Sequence, residues 1–241
     1  MYDLHCHFIP GIDDGARTME EALQLLRLAE QNGISHIVAT PHINPGYFDN
    51  TQAIIQQGLS ELKQQVKAEG LAIQLAAAAE VRLCAELPHW AESGMLPFLG
   101  EYQGYKVLLL EFPHSHVPAG ADRLVKWLLT KQILPMIAHP ERNRDIQNDI
   151  KKLLPFRRTG CLFQLTASSV LGDMGESSQH TALQLLEEKA FDIVATDSHN
   201  LLRRPPKLAE ARDFIAGLCG DDYAALLTHG KPAQISRSHF S

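Results

Sequence analysis

His5-Cys6-His7 and Asp197-Ser198-His199 each place two metal-ligand side chains at positions i and i+2, at the ends of short apolar runs. Side chains two apart on a strand point to one face. Each pair can therefore converge on one cation or on two neighbouring ones. The two pairs lie at opposite ends of the chain, so a site built from both requires a closed or strongly wrapped fold. More candidates follow apolar runs in between: His42 after Thr40-Pro41, Glu80 after four alanines, Glu111 after three leucines, and His139 before Pro140. An unpaired carboxylate at the end of an apolar strand is costly to bury, and a cation beside Glu80 and Glu111 would stabilise both. Imidazoles mixed with carboxylates, without thiolates, suit manganese, iron or zinc. The candidates exceed what one tetrahedral ion needs, which implies a multinuclear site. Clusters of this kind make hydroxide from water and clamp a phosphate for in-line displacement.

The elements that must carry these residues alternate from end to end. Apolar runs predict strands over 2–6, 34–39, 72–79, 106–110, 134–138, 162–165 and 192–196. Periodic stretches predict helices from the capping box Thr18/Glu21 to Gly33, then over 51–69, 85–92, 121–131, 150–158, 181–189, 207–216 and 221–228. In the second helix Ile54, Ile55, Leu59, Leu62 and Val66 fall on one side. Seven βα units with nearly continuous apolar strands favour a parallel α/β fold, and the absence of any composition break favours one domain over 1–241. Alternation alone does not separate a barrel from a doubly wound sheet. In either, function collects at the C-terminal ends of strands. Six of the seven predicted strands end in a candidate, and the sixth strand alone has none. His, Asp and Glu number 40 of 241 residues, so chance places them so with a probability on the order of a few per cent.

Composition narrows the function class. A formal charge of -6 argues against a non-specific nucleic-acid binder, which carries a basic face. No apolar run is long enough for membrane insertion, and the N-terminus shows no leader; a cytoplasmic protein is expected. The four cysteines Cys6, Cys84, Cys161 and Cys219 have no Cys-x-x-Cys spacing, so neither a zinc ribbon nor a disulfide framework is suggested. No Cys-x5-Arg phosphate loop occurs, and Cys6 should face away from its two flanking histidines.

The strings His5-Cys6-His7, Gly11-Ile12-Asp13-Asp14-Gly15, Ala39-Thr40-Pro41-His42, Ala79-Glu80, Ala138-His139-Pro140-Glu141-Arg142 and Thr196-Asp197-Ser198-His199-Asn200, with Arg204-Pro205-Pro206 behind, resemble the PHP (polymerase and histidinol phosphatase) superfamily. Within it the chain is similar to the bacterial manganese-dependent protein-tyrosine phosphatases of capsule and exopolysaccharide systems. The resemblance implies a distorted (β/α)7 barrel with two to three divalent metals. It implies one metal on His5, His7, Glu80 and Asp197; a second on Glu80, Glu111 and His139; a third on Asp14, His42 and His199. It further implies phosphate binding by Arg142 and Arg204, and as partner a phosphotyrosine-bearing bacterial tyrosine kinase of polysaccharide export. A small-molecule phosphatase of the same type, for histidinol phosphate or a nucleotide, is the alternative enzyme. A non-catalytic metal-binding regulatory module is the alternative of another class.

Some choices stay open. Asp13 or Asp14 can be the ligand, and Arg203 or Arg204 can reach phosphate. Position 43 is isoleucine where many relatives carry histidine. His114 and His116 divide between a loop surface and a substrate-side role. Tyr47, Phe48 and Phe112 could line the approach of an aromatic ring. His36, His89, His180, His229 and His239 are expected at the surface or in caps.

Overall fold

The computed structural model describes residues 1–240. Its strands, in chain order, are β1 (Tyr2–Asp3), β2 (His36–Ala39), β3 (His42–Ile43), β4 (Gln74–Ala77), β5 (Glu80–Arg82), β6 (Glu101–Tyr102), β7 (Tyr105–Glu111), β8 (Ile133–Ala138), β9 (Leu162–Thr166) and β10 (Ile193–Ala195). Apart from the short antiparallel β6, every pairing is parallel: β1 with β2, β2 with β4, β3 with β5, then β5, β7, β8, β9 and β10 in succession. Beyond these strands Cys6 forms a parallel bridge with Ser198. The His7 N–H donates to the Ser198 carbonyl at 2.9 Å and the Asp197 N–H to the His5 carbonyl at 2.7 Å. Pairing thus runs round in sequence order and returns to its start, the course of a distorted (β/α)7 barrel.

All seven expected strands are present, and two are interrupted. β2 gives way to β3 around Pro41, which lacks the N–H a ladder needs. β4 gives way to β5 around Ala78-Ala79. These breaks let the chain bend inward at the mouth.

Alternation sets the layers. Val38, Ala76, Val107, Leu109, Leu134, Met136, Leu162 and Ile193 share the barrel interior, and Ile235 packs into the same cluster. Leu108, Leu110, Ile137 and Phe163 belong to the larger core between strands and helices. Continuing the period of two beyond the interior layer puts Thr40 and His42, Glu80, Glu111, Gln164 and Asp197 on the inward face at the C-terminal end.

The helices are α1 (Met19–Gln31), α2 (Gln52–Ala68), α3 (Leu87–Glu92), α4 (Ala121–Thr130), α5 (Arg144–Asn148), α6 (Leu154–Thr159), α7 (Ala167–Val170), α8 (Glu176–Glu187), α9 (Leu208–Cys219), α10 (Asp221–Ala225) and α11 (Lys231–Phe240). Thr18 caps α1 by accepting from the Glu21 N–H at 3.2 Å, but Glu21 returns its carboxylate to the Arg17 N–H instead of to the cap. Ile54 of α2 is 42% exposed; only Ile55, Leu59, Leu62 and Val66 form the buried stripe. The expected helix over 150–158 is a 3₁₀ turn, Ile150–Leu153, leading into α6. α8 begins five residues before its predicted start, because its first turns are polar and carry no stripe to read. α11 was not predicted for the same reason; it brings Ile235 against the barrel interior. No described helix is long and apolar enough to cross a membrane.

Candidate metal centre

The mouth of the barrel gathers all nine proposed ligands. Glu80 is the hub. Its Oε2 lies 3.2 Å from His5 Nε2, 3.5 Å from His7 Nε2 and 3.0 Å from His42 Nδ1, while Oε1 lies 2.8 Å from His139 Nε2. Asp197 Oδ1 lies 3.3 Å from His5 Nε2 and 3.4 Å from His7 Nε2. Asp14 Oδ1 stands 3.3 Å from His42 Nε2 and 3.5 Å from His199 Nε2. Ligand-type atoms within 4.8 Å of one another form overlapping groups, among them His5/His7/Glu80, His5/His139/Asp197, His42/Glu80/Glu111 and His7/Asp14/His42/His199.

The donor set fits cations on its own geometry. His5 Nε2, His7 Nε2, His42 Nδ1 and Glu80 Oε2 are buried without a hydrogen-bond partner. Orphaned polar atoms of this kind are rare and call for a reason. Ligands about 2.1 Å from a cation stand roughly 3.0 Å apart in an octahedron and about 3.4 Å apart in a tetrahedron. Four of the six separations around Glu80 and Asp197 fall in that range; Glu80 to His7, at 3.5 Å, lies just beyond it, and Glu80 to His139, at 2.8 Å, is a hydrogen bond.

Backbone strain and close packing hold the ligands. His139 (φ 30°) and Asp197 (φ 49°) are both left-handed without being glycine, a conformation that costs about 1–3 kcal/mol and concentrates at functional sites. The turn at His139 sends the chain from β8 into the 3₁₀ turn Pro140–Arg142. Gly15 lies so close to His7 that a Cβ would sit 2.1 Å from the His7 carbonyl oxygen; only glycine lets the Asp13-Asp14 loop close over the site.

Other polar groups orient the imidazoles. His7 Nδ1 donates to Asp13 Oδ2 at 2.7 Å, and the same carboxylate accepts from the Gly15 and His42 N–H groups. The two aspartates therefore divide: Asp14 faces the ligand cluster and Asp13 aims His7. His199 Nδ1 bonds the Asp197 carbonyl at 2.8 Å, leaving Nε2 toward Asp14. His5 Nδ1 bonds Gln164 Oε1. A second hydrogen bond on the far nitrogen is the usual device for fixing a metal-ligating tautomer.

Burial opposes charge on Glu80, yet His5 and His42 hold its carboxyl well below the usual range. Burial alone would lower His42, but Glu80 beside it raises it to about 11. Glu111 is pushed up to about 7 by burial and by neighbouring Glu80. His139 is lowered to about 3 by burial and Arg142, and His199 to about 4 by burial and His7. Clustered carboxylates thus draw positive charge into the mouth, while two imidazoles stay neutral, as ligation requires.

The mouth cavity, about 200 Å³, is lined by Asp14, His42, Glu80, Glu111, His139, Asp197 and His199 together with Asn44, Phe48, Arg82, His114, Arg142 and Arg204, while His5 and His7 lie buried beneath its lining. Arg142 pairs with Asp197. Arg204 Nη1 lies 3.6 Å from Asp197 Oδ2 and Nη2 3.7 Å from Asp14 Oδ2. Arg203 is exposed and does not line the mouth. Phe48 stacks parallel to His42 with centroids 5.4 Å apart. Tyr47 is 81% exposed, and Phe112 is buried against Phe156 in the core, so of the three candidate aromatics only Phe48 forms the wall.

Two residues at the mouth, Arg82 and Gln164, escaped sequence reasoning, and His114, left open there, also lies at the mouth. Arg82 Nε lies 3.0 Å from Glu111 Oε2; it sits two residues after Glu80 on the same strand face, so the spacing that marks His5 and His7 could have found it. Gln164 fills the strand that lacked a candidate. His114 lies within ligand reach of Glu111 and His139, its ring stacked 5.3 Å from that of His139. His116 bonds the neighbouring Ser115 on the surface.

Comparison with known proteins places the chain among relatives. The family model for capsular polysaccharide synthesis, CpsB/CapC, matches residues 1–237. The tyrosine-protein phosphatase YwqE of Bacillus subtilis (strain 168) is 32% identical over 228 residues, 95% of this chain and 89% of the relative. A solved structure described as YwqE from Bacillus subtilis and CpsB from Streptococcus pneumoniae, metal-dependent tyrosine phosphatases, matches with a TM-score of 0.91 at 30% identity, over 98% of this chain and 94% of that one. An organophosphorus hydrolase from Deinococcus radiodurans matches at a TM-score of 0.56 and 15% identity, over 97% and 92% of the two chains; that likeness concerns the fold alone.

Proposed function

We infer from the mouth's geometry, and from the fact that this chain belongs to the CpsB/CapC family of capsular polysaccharide synthesis, that it is a metal-dependent tyrosine-protein phosphatase. One observation carries the reading: buried, partnerless imidazole and carboxylate atoms at ligand spacing share one small cavity with arginines. The proposed assignments are His5, His7, Glu80 and Asp197 for one cation, Glu80, Glu111 and His139 for a second, and Asp14, His42 and His199 for a third. The oxygen-and-imidazole donor set suits manganese, iron or zinc, and manganese is the ion proposed. Bound there, such ions lower the pKa of water and neutralise phosphoryl oxygens.

The chain's own groups supply the rest. Arg142 and Arg204 grip non-bridging phosphate oxygens as charge develops in the transition state. Both lean on Asp197, which holds their guanidinium groups at the mouth before substrate arrives. Phe48 offers an apolar wall to the substrate's aromatic ring. A phenolate leaving group, with pKa near ~10, needs less protonation than an alkoxide, so no strong general acid is required from the chain.

The proposed partner is a bacterial tyrosine kinase of polysaccharide export with phosphotyrosines on a flexible tail, met in the cytoplasm. The proposed unit is one domain over 1–241. Turnover of a phosphotyrosyl peptide, a phosphoseryl peptide and histidinol phosphate, each with manganese, tests the reading. Preference for the first supports it; preference for histidinol phosphate replaces it with the small-molecule alternative, and no turnover of any supports the non-catalytic one.

A further inference from the structure

We propose that an apolar groove beside the mouth is a peptide subsite, which seats an apolar side chain within two residues of the phosphotyrosine. The proposal rests on the phosphatase reading and adds where the flanking peptide lies. The groove encloses about 460 Å³, more than twice the mouth's about 200 Å³. Its apolar walls come from Ile43, Pro45, Phe48, Trp90, Met95 and Leu96.

Phe48 stands between the two cavities and lines both. An aromatic ring with contacts on each face spans about 7 Å. Two residues of extended chain cover about the same distance, at roughly 3.3 Å each. A peptide whose phosphotyrosine enters the mouth therefore brings its second neighbour over the groove.

The wall between them is preformed. Asn44 and Phe48 exchange backbone hydrogen bonds of 3.0 and 2.8 Å across a turn in which Gly46 has φ 79°. Asp49 Oδ1 accepts from the Gly46 N–H at 2.9 Å. Asn50 Nδ2 donates to the carbonyls of His42 at 2.8 Å and Ile12 at 2.9 Å, tying this loop to a proposed ligand. A wall already ordered loses little freedom when a peptide binds.

Two exposed side chains lie close in sequence to residues of the mouth. Leu202 (92%) and Tyr47 (81%) are the most exposed large apolar residues described. Each stands one or two positions from a mouth-lining residue, Arg204 and Phe48 respectively. A substrate the size of a single amino acid has no use for them, whereas a chain crossing the mouth covers them. The groove's charged lining is Asp49 and Glu86, with no lysine or arginine, so an aspartate in the flanking position is repelled where a leucine is accepted.

The test uses the manganese-loaded enzyme on free phosphotyrosine and on phosphotyrosyl peptides with Leu, Ser or Asp two residues before or after the phosphotyrosine. Wild type should favour Leu over Asp at one of these positions by about tenfold or more in kcat/KM. Ala53→Trp, at an exposed position of the groove lining, should erase that preference by raising KM while leaving kcat/KM on free phosphotyrosine unchanged. Met95→Lys should bring the Asp peptide up toward the Leu peptide. Equal turnover of the three peptides by wild type overturns the subsite, as does a preference that survives both variants. A groove substitution that changes sedimentation but not peptide selectivity assigns the groove to a second copy of the chain instead. Loss of all turnover in wild type, free phosphotyrosine included, overturns the phosphatase reading and the subsite with it.

Discussion

Gln164 and His5, 159 positions apart in sequence, share a hydrogen bond of 2.9 Å between Oε1 and Nδ1 at the barrel mouth. The same Oε1 accepts from the backbone N–H of His139 at 3.1 Å. A backbone N–H can only donate, so this contact fixes which end of the amide faces inward. His5 Nδ1 must then carry a proton, which leaves Nε2 as the ring nitrogen that faces Glu80 and Asp197. One amide thus sets both a tautomer and the bend at His139. Gln164→Leu keeps the volume and removes both contacts. Its metal affinity should fall by about 10–100-fold, the scale for loss of such an outer hydrogen bond, with kcat largely restored at saturating manganese. Metal titration of activity checks this, and an unchanged titration curve counts against the role.

The contrast between Gln164 and Glu80 shows what a sequence can reveal. Glu80 stands out because a carboxylate after four alanines has no inexpensive reason to be there. Gln164 sits inside a strand where a neutral amide is unremarkable, and its partner becomes adjacent only when the last strands curl back to the first. Long strands and amphipathic helices were legible from their periods. The short α5 and α7 hold too few residues to show one, and α11 has too polar a face. Neither the pairing of Asp13 with His7 nor that of Arg82 with Glu111 follows from spacing alone, because each needs strand register or loop closure to exist. Phe112 misled for the opposite reason: it follows Glu111 at the mouth, yet the alternation of side chains turns it back into the core.

Glu80 should be the most damaging ligand to lose. Four histidines surround its two oxygens, so Glu80→Ala leaves two proposed cation sites under-neutralised at once. Elemental analysis of active wild-type enzyme should find two to three first-row transition ions per chain. Chelation should abolish activity, and manganese should restore it. Active enzyme with at most one ion would refute the multinuclear assignment.

Thiol chemistry should be dispensable. Burial pushes Cys161 up to about 11 and, with Glu86 beside it, Cys84 as well; burial also raises Cys6 well above its ordinary value. A raised thiol pKa means the group stays protonated until the pH approaches that value, so none of these three is a thiolate at neutral pH. Replacing all four cysteines with serine or alanine should leave turnover of a phosphotyrosyl peptide largely intact, and iodoacetamide should not inhibit wild type. A trapped phosphocysteine would reverse this conclusion.

The arginines separate phosphate recognition from metal binding. Arg142 and Arg204 both reach Asp197 at the mouth, whereas Arg203 is exposed and its backbone N–H is held by Asn200 Oδ1 at 2.7 Å. Arg142→Ala and Arg204→Ala should each lower kcat/KM by about 10²-fold or more, the scale for one lost charge-stabilising donor, with metal content unchanged. Arg203→Ala should do much less. Lysine at 142 or 204 should rescue only partly, because an ammonium cannot make a planar two-point contact with phosphate. Kinetics and metal analysis of the three alanine variants discriminate the outcomes. A crippled Arg203→Ala with an active Arg204→Ala would move the phosphate contact by one residue, against the geometry of the loop. Full activity in all three would leave phosphate recognition to the metals. Loss of metal along with activity in Arg142→Ala would instead mean that its pairing with Asp197 serves to hold the ligand cluster.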